Sequence, residues 1–515
     1  MTASLNQQQL HELQHNPALK GLAPFAGTYA HTPYFKDLPQ KYGRKIIETL
    51  QEAVQRVGLK DGMTISFHHG YREGDRTINQ VVQLLAEMGF KNLTLASSSL
   101  MSCNTPLIAH IKSGVIRRIY TSGMRGKLAE AISNGLMDEP VHIHSHGGRA
   151  HLIQTGEISI DVAFLGVSAC DEFGNANGVN GKSRCGSLGY AKVDAHFARS
   201  VIMLTEEFLP FPNTPVSISQ DQVDFIVKVA QVGDPSKISV GAARATSDPR
   251  ELLIARYAAD VIEHSGYFVD GFSLQTGTGA SSTAATRFME HRMRKKGIKA
   301  AFALGGISGG IVDLHKKGLI GKLIDTQSFD ADATESLRTS ATHFEVSTNE
   351  YANPGSKGTF CDRVDVVILS ALEIDIDFNV NVLTGSDGVM RGASGGHSDV
   401  AAAANLSIVV GPLIRSRIPT VVKHVTTVVT PGDCIGVLVT DHGIAVNPNR
   451  PEVEQRLREA GLPVVTIEQL YQRALEISGE PAAIDFLDKV VGVVRYRDGT
   501  VIDLVHQIKP MESTP

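Results

Sequence analysis

A chain of 515 residues exceeds what one ordinary hydrophobic core serves, so about two to four folding units are expected. Hydrophobic residues at 42% and charged residues at 20% give the balance of a water-soluble globular protein. A net charge of −5 without a long basic run excludes nucleic acid as a partner, and no run approaches the roughly 18 uncharged apolar residues of a membrane span, so a cytoplasmic protein is expected.

Residues 1–40 carry several Pro and Gly and read as an arm laid over the surface, a candidate homo-oligomer contact. A first α/β domain is expected over 41–235. TISFHHG (Thr64 to Gly70) is a short strand ending in glycine, INQVVQLLAEMG is a helix closed by Gly89, and NLTLASS is the next strand, which makes a βαβ unit. The loop FHHGYREGDRT places Arg72 and Arg76 on a glycine-containing turn, where guanidinium groups suit phosphate or carboxylate as well as solvent. VHIHSHGGRA sets His142, His144 and His146 on one face of a strand. No carboxylate follows at a helpful distance, so structural or substrate-contacting histidines are expected and no metal. Gly147, Gly148 and Arg149 then form an anion-friendly corner. Lys182 and Arg184 sit in a similar glycine-rich setting. Near VGDPSKISVGAA, Pro235 and the glycines end a helical run, DFIVKVAQ, and mark the boundary with a second domain, 236–515.

The same order then repeats. FSLQTGTG (Phe272 to Gly279) is a strand, TAATRFMEHRMRKKG a helix closed by Gly297, and AAFALGG the next strand. DVAFLGVSACDEFGNAN (Asp161 to Asn177) returns as DVVILSALEIDIDFNVN (Asp365 to Asn381), with Asp161/Asp365, Asp171/Asp375, Asn175/Asn379 and Asn177/Asn381 among the identical pairs. Unbroken apolar strands such as VDVVILSAL argue for parallel sheets covered on both faces. The expected fold is therefore α/β, with two tandem open parallel-sheet domains related by internal duplication. The last residues, MESTP, are expected to fray.

Ligands of open parallel sheets gather beyond the carboxyl ends of strands, so the glycine turns there are the candidate site. LQTGTGASSTA offers Gly277 and Gly279, with Ser281 and Ser282 at the cap of a helix, and its N–H groups suit a carboxylate, a phosphate or a developing oxyanion. ALGGISGGIVDL, with four glycines, lets a backbone or ligand come very close. GVMRGASGGHSDVAAAAN combines Arg391, Gly395, Gly396 and His397 and suits a small polyanion. Glu373, Asp375 and Asp377 share a face at the end of a buried strand. Glu373 has the chemistry of a nucleophile or base, and such a trio equally suits capping of the next turn. Five scattered cysteines give neither a disulfide frame nor a zinc site, and no Gly-x-Ser-x-Gly or His-Glu-x-x-His motif of a hydrolase is present.

SHGGRA, DVAFLGVSACDEFGNANG, LQTGTGASSTAA, ALEIDIDFNVNVLTGSDG, GGHSD and VLVTDHGIAVNPNRP, in this order, resemble the citrate lyase alpha subunit, also called citrate CoA-transferase, from about residue 20 to about 510. The resemblance implies a fold of the CoA-transferase (NagB/RpiA-like) type and exchange of acetyl for citryl on a carrier thioester. It implies citrate and acetate as substrate and product, a beta (citryl lyase) subunit and a gamma (acyl carrier) subunit as partners, and no tightly bound cofactor. The CoA-derived group, phosphoribosyl-dephospho-CoA, belongs to the carrier, or CoA takes its place. Many relatives form a glutamyl thioester just before a Gly-Val-Val-Asp-Leu-like segment; here Gly310 to Leu314 follow Gly305, so the carboxylate is missing and a direct mixed anhydride is implied. Gly277, Gly279, Gly395 and Gly396 are then the expected oxyanion donors. Arg391, His397, Asn381, His146 and Arg149 are the expected citrate contacts, and Arg72, Arg76, Ser281 and Ser282 those for the carrier's arm. The rival readings are a CoA transferase or acyl-CoA hydrolase using Glu373 covalently, and an anion-binding module without turnover.

Overall fold

A computed structural model of the chain describes residues 7–17, 45–238, 246–277 and 279–509. Apart from the helix Gln7–His15, the expected N-terminal arm lies outside these residues, as do the end of the inter-domain junction and the terminal MESTP.

In the first half, seven short runs form parallel strands: β1 Thr64–Phe67, β2 Leu93–Ser97, β3 Ile116–Thr121, β4 Val141–Ile143, β5 Val162–Val167, β6 Ser200–Thr205 and β7 Phe225–Lys228. Their order across the sheet is β7-β6-β5-β1-β2-β3-β4. In the second half the strands are β8 Ser273–Thr276, β9 Ala300–Ile307, β10 Ile320–Ser328, β11 His343–Glu345, β12 Val366–Ser370, β13 Leu406–Val410 and β14 Val437–Thr440. Their order, β14-β13-β12-β8-β9-β10-β11, reproduces the first strand for strand, again all parallel. Every residue of β5 and of β13 is buried, which is why these strands read as unbroken apolar runs.

The crossover helices carry the complementary pattern. Ile78, Val81, Val82 and Leu85 line the buried stripe of helix Thr77–Glu87, a helical spacing in which each such side chain contributes about 2 kcal/mol. Helix Ala280–Lys296 buries Ala285, Met289 and Met293. It stops at Gly297, whose left-handed φ of 67° lets its N–H reach the carbonyls of Arg294 and Met293.

The repeated polar residues do the same local work in both halves. Asp161 accepts the N–H of Thr64 at 2.8 Å, and Asp365 accepts that of Ser273 at 2.8 Å, so each carboxylate pins the first strand of its unit. Asp171 and Asp375 gather the N–H groups of the following turn, at 3.0 Å from Asn175 and 2.9 Å from Asn379. Asn177 and Asn381 each fold a turn by accepting two successive backbone N–H groups.

Three expectations are corrected. DFIVKVAQ is not helical: its β-branched and aromatic residues place Phe225–Lys228 beside β6, with Ile226 and Val227 buried. The second unit does not keep the chain to residue 515, because a hairpin of β15 Phe486–Arg495 and β16 Val501–Ile508 crosses back and pairs Gly492–Val494 with β4. The strand before His146 ends at Ile143, where Ser145 caps helix His146–Gln154 by accepting the N–H of Gly148, so the three histidines do not share a strand face. No helix among the described residues is long and apolar enough to cross a membrane.

Candidate active site

The carboxyl ends of both sheets face a common cleft of about 580 Å³. The second half contributes the ends of β8 and β12, which flank its topological switch point, together with those of β9 and β10. From the first half come the turns after β1, β2 and β3 and the start of the helix at His146. The halves are joined at the cleft's edge. Ser394 N–H donates to the Ser122 carbonyl at 2.8 Å, and Met124 N–H to that of Gly392 at 3.2 Å. Gly123 leaves no room for a side chain there, since a Cβ would fall 2.3 Å from Ala393 Cα. Asp399 of the second half accepts the Ser145 hydroxyl at 2.7 Å and the Gly147 N–H at 2.8 Å of the first. Arg72, in the left-handed region at φ 51°, lays its guanidinium over the Phe329 ring, 4.8 Å from its centre.

The lining is electropositive. Arg72, Arg125, Arg391 and Arg415 face the cleft against one carboxylate, Glu73, which is held by the N–H groups of Ser102 and Cys103. Four lining residues carry a buried polar atom with no protein partner: Ser122 Oγ, His146 Nδ1, Gln275 Oε1 and Thr326 Oγ1. Each such atom costs about 1–3 kcal/mol when left alone, so the wall is arranged for something polar to complete it. The histidines of the cleft are neutral near pH 7. Burial pushes His146 down to about 3 and His397 down to about 4, and it holds His69, which stacks on His146, well below the ordinary range.

The turn at Gly305 and Gly306, at the end of β9, has no room for a side chain. Gly305 has φ +94°, and a Cβ on it would lie 2.7–2.9 Å from the terminal atoms of the Gln275 side chain. At Gly306 the Phe329 ring occupies the corresponding space, at 1.8 Å. Neighbouring side chains thus fill the space above both glycines.

Of the glycines expected to face substrate, Gly277, Gly395 and Gly396 line the cleft. Gly277 spends its N–H on the Ile368 carbonyl at 2.8 Å, so it is corrected as a donor. Gly395 and Gly396 have no protein acceptor for their N–H groups among the described residues. Gly279 stands outside the lining, caps its helix and packs on Ser370. Ser281 and Ser282 are accordingly not the cap. They are buried, Ser281 bonds Glu251, and neither lines the cleft.

Arg391 lies on the cleft with its guanidinium paired to Asp387. His397 reaches the cleft, but both ring nitrogens are engaged: the neutral ring donates from Nε2 to the Ser370 carbonyl at 3.1 Å and accepts at Nδ1 from Thr430 at 2.7 Å. Arg149 is corrected more sharply. It is buried in a two-toothed pair with Asp194, at 2.6 and 2.9 Å, and it donates to the Ala96 carbonyl, away from the cleft. The anion that its Gly-Gly corner attracts is the protein's own Asp399. Asn381 holds the Glu373 carboxylate at 2.9 Å, and Glu373 also accepts the N–H of Thr426 at 2.8 Å. Both residues stand outside the cleft, with Glu373 opening on a separate hollow beside Tyr471 and Phe486, which removes it as a nucleophile for this site. Arg76 pairs with Asp234 at 3.6 Å, also outside. Arg184 bridges the halves to Glu335 at 3.0 Å.

Arg125, Arg415, Gln275, Tyr190 and Gln327 line the cleft without having been singled out in the sequence. The strand-end rule reaches Arg125, in TSGMRG just beyond β3. Arg415 lies on a short hairpin, Ile414–Arg415 paired with Ile418–Pro419, whose approach to the site depends on tertiary packing, through bonds to the carbonyls of Ala371 and Leu372.

Fold and cleft together place the chain among α/β enzymes of the CoA-transferase type. The family model described as citrate lyase, alpha subunit (CitF), matches residues 43–508. The citrate lyase alpha chain of Klebsiella pneumoniae is 64% identical over 489 residues, spanning 95% of this chain and 96% of that one. This chain belongs to the citrate lyase alpha subunit family. A solved alpha subunit of citrate lyase in complex with citrate, from Streptococcus mutans, superposes with a TM-score of 0.91 at 50% identity, covering 93% of this chain and 96% of the other. A malonate decarboxylase alpha subunit from Acinetobacter baumannii, at 15% identity and a TM-score of 0.62 over 85% of this chain and 93% of that one, shares the fold.

Proposed function

We propose that this subunit converts an acetyl thioester on an acyl carrier and citrate into the citryl thioester and acetate, through a mixed anhydride and without a glutamyl enzyme. The observation that carries this is the cleft's inventory among the described residues: four guanidinium groups and two free glycine N–H groups for a polyanion, against one carboxylate, Glu73, whose two oxygens are engaged by the N–H groups of Ser102 and Cys103. Citrate is ionised at neutral pH and needs positioning rather than a general base. One of its carboxylates attacks the acetyl carbonyl, the carrier thiolate leaves, and acetyl-citrate anhydride forms. The thiolate then attacks the citryl carbonyl, acetate leaves, and the carrier holds citryl. Each tetrahedral oxyanion meets the N–H groups of Gly395 and Gly396, worth about 3–4 kcal/mol apiece when aligned.

Arg125, Arg391 and Arg415 hold carboxylates in this reading, His146 offers Nδ1, and Arg72 faces the carrier's arm. The citrate named with the Streptococcus mutans relative supports the substrate. By the same family, the partners are a citryl lyase beta subunit and a gamma carrier bearing the phosphoribosyl-dephospho-CoA group, in a cytoplasmic assembly containing several copies of this chain. The matching strand orders, and the matching duties of the Asp and Asn pairs, support two duplicated units of the NagB/RpiA-like type, one over 41–235 and one from 236 whose final hairpin has moved to the first.

The test is acetate release from an acetyl thioester with and without citrate, followed by hydroxylamine trapping. Citrate-dependent release with no modified glutamate is expected. A labelled Glu373 would establish the covalent reading, and absence of citrate-dependent release the non-catalytic one.

A further inference from the structure

We infer that Gln275 reads the hydroxyl group of the tricarboxylate substrate, and that it is the specificity-determining residue separating a hydroxylated tricarboxylate from its deoxy analogue. The inference rests on the function proposed above and adds to it a residue and a discrimination.

Gln275 stands at the carboxyl end of β8 and is 8% exposed. Its carboxamide fills the space above Gly305 and is held from one side, where Nε2 donates to the Tyr351 oxygen at 2.9 Å. That oxygen in turn lies 2.7 Å from where a Cβ on Gly396 would be. Gln275, Tyr351 and Gly396 therefore link the two glycine turns across the cleft. The Tyr351 oxygen is the acceptor of that bond, on a side chain that is itself buried. With Nε2 bonded to Tyr351, Oε1 is left buried and without a partner, on a residue that lines the cleft.

Among the four buried unpartnered atoms of the lining, the Ser122 and Thr326 hydroxyls and the His146 nitrogen are each able to donate. Gln275 Oε1 can only accept. A fully ionised tricarboxylate presents acceptors everywhere except at a hydroxyl, so a carboxylate placed against Oε1 is repelled. The arginines take the carboxylates, and the hydroxyl is the one substrate group that completes Gln275. A site built this way rejects the analogue lacking the hydroxyl, because its own buried acceptor is then left bare. The same bond also fixes how the molecule is turned, and thus which carboxylate faces the thioester.

The experiment measures acetate release from the acetyl-loaded carrier in the assembled complex, with citrate and with propane-1,2,3-tricarboxylate, for the wild type, Gln275→Met and Tyr351→Phe. The wild type is expected to favour citrate by about 100-fold in kcat/KM. Gln275→Met, of similar length but without the acceptor, should lose citrate by about that factor and keep the deoxy analogue within about threefold. Tyr351→Phe removes the amide's partner while leaving Oε1 in place and should cut the preference about tenfold, which keeps the test open if the Met variant fails to fold. A wild type that uses both substrates alike, or variants in which both substrates fall together, would overturn the assignment. A wild type without citrate-dependent release would instead count against the proposed function itself.

Discussion

Gly305→Ala tests whether the packed turn at Gly305 holds the site together. The added methyl must adopt a φ of +94°, which costs an L-residue about 1–2 kcal/mol. It also meets the Gln275 carboxamide carbon, nitrogen and oxygen at 2.7–2.9 Å, well inside carbon contact distance. The carboxamide has to leave, which breaks the bond to Tyr351 and costs about 1 kcal/mol more. Together these predict a loss of about 2–3 kcal/mol. Gly297→Ala is the matched control, with φ +67° and nothing within 4 Å of the new atom, so it should show the backbone cost alone. Urea midpoints should therefore fall further for Gly305→Ala than for Gly297→Ala, and only the former should lower citrate-dependent acetate release, by about 10- to 100-fold. Equal midpoints with unchanged activity would refute the reasoning.

Removing one partner of the buried pair, as in Asp194→Ala, leaves Arg149 charged and uncompensated and should cost about 3–5 kcal/mol in urea unfolding. Because Arg149 is not in the cleft, substrate affinity of the folded fraction should hold. Arg415→Ala should raise the KM for citrate about 10- to 100-fold, measured by initial rates, through loss of a partly desolvated carboxylate partner. His397 is pushed down to about 4 when folded, against about 6.5 unfolded, so between these values the unfolded chain binds more protons. Its contribution to stability is thus intact above about pH 6.5 and falls as the solution is acidified toward 4, by about 2 kcal/mol at pH 5. Urea midpoints should record this fall, and His397→Gln should flatten that part of the curve.

Much of the scaffold is legible in the sequence because its signals are local. Gly297 closes its helix through left-handed geometry, and β5 and β12 carry the same Asp-led apolar run because both are buried on both faces. The cleft is less legible because chemistry there depends on what each group meets in three dimensions. Arg149 and Asn381 have the residue types of a citrate site, yet Asp194 claims the first and Glu373 the second. Gln275 looks like ordinary strand interior in SLQT, and its meaning comes only from the empty Gly305 opposite and from Tyr351 behind it. DFIVKVAQ misleads for a related reason: a short apolar run fits either helix or strand, and the neighbouring β6 decides.

A single turnover with citrate carrying oxygen-18 in every carboxylate asks the decisive question, because direct attack hands one citrate oxygen to the departing acetate. Acetate bearing one heavy oxygen in that first turnover, with none left in the protein, is the predicted result. Unlabelled acetate together with label retained on a glutamate side chain would contradict it.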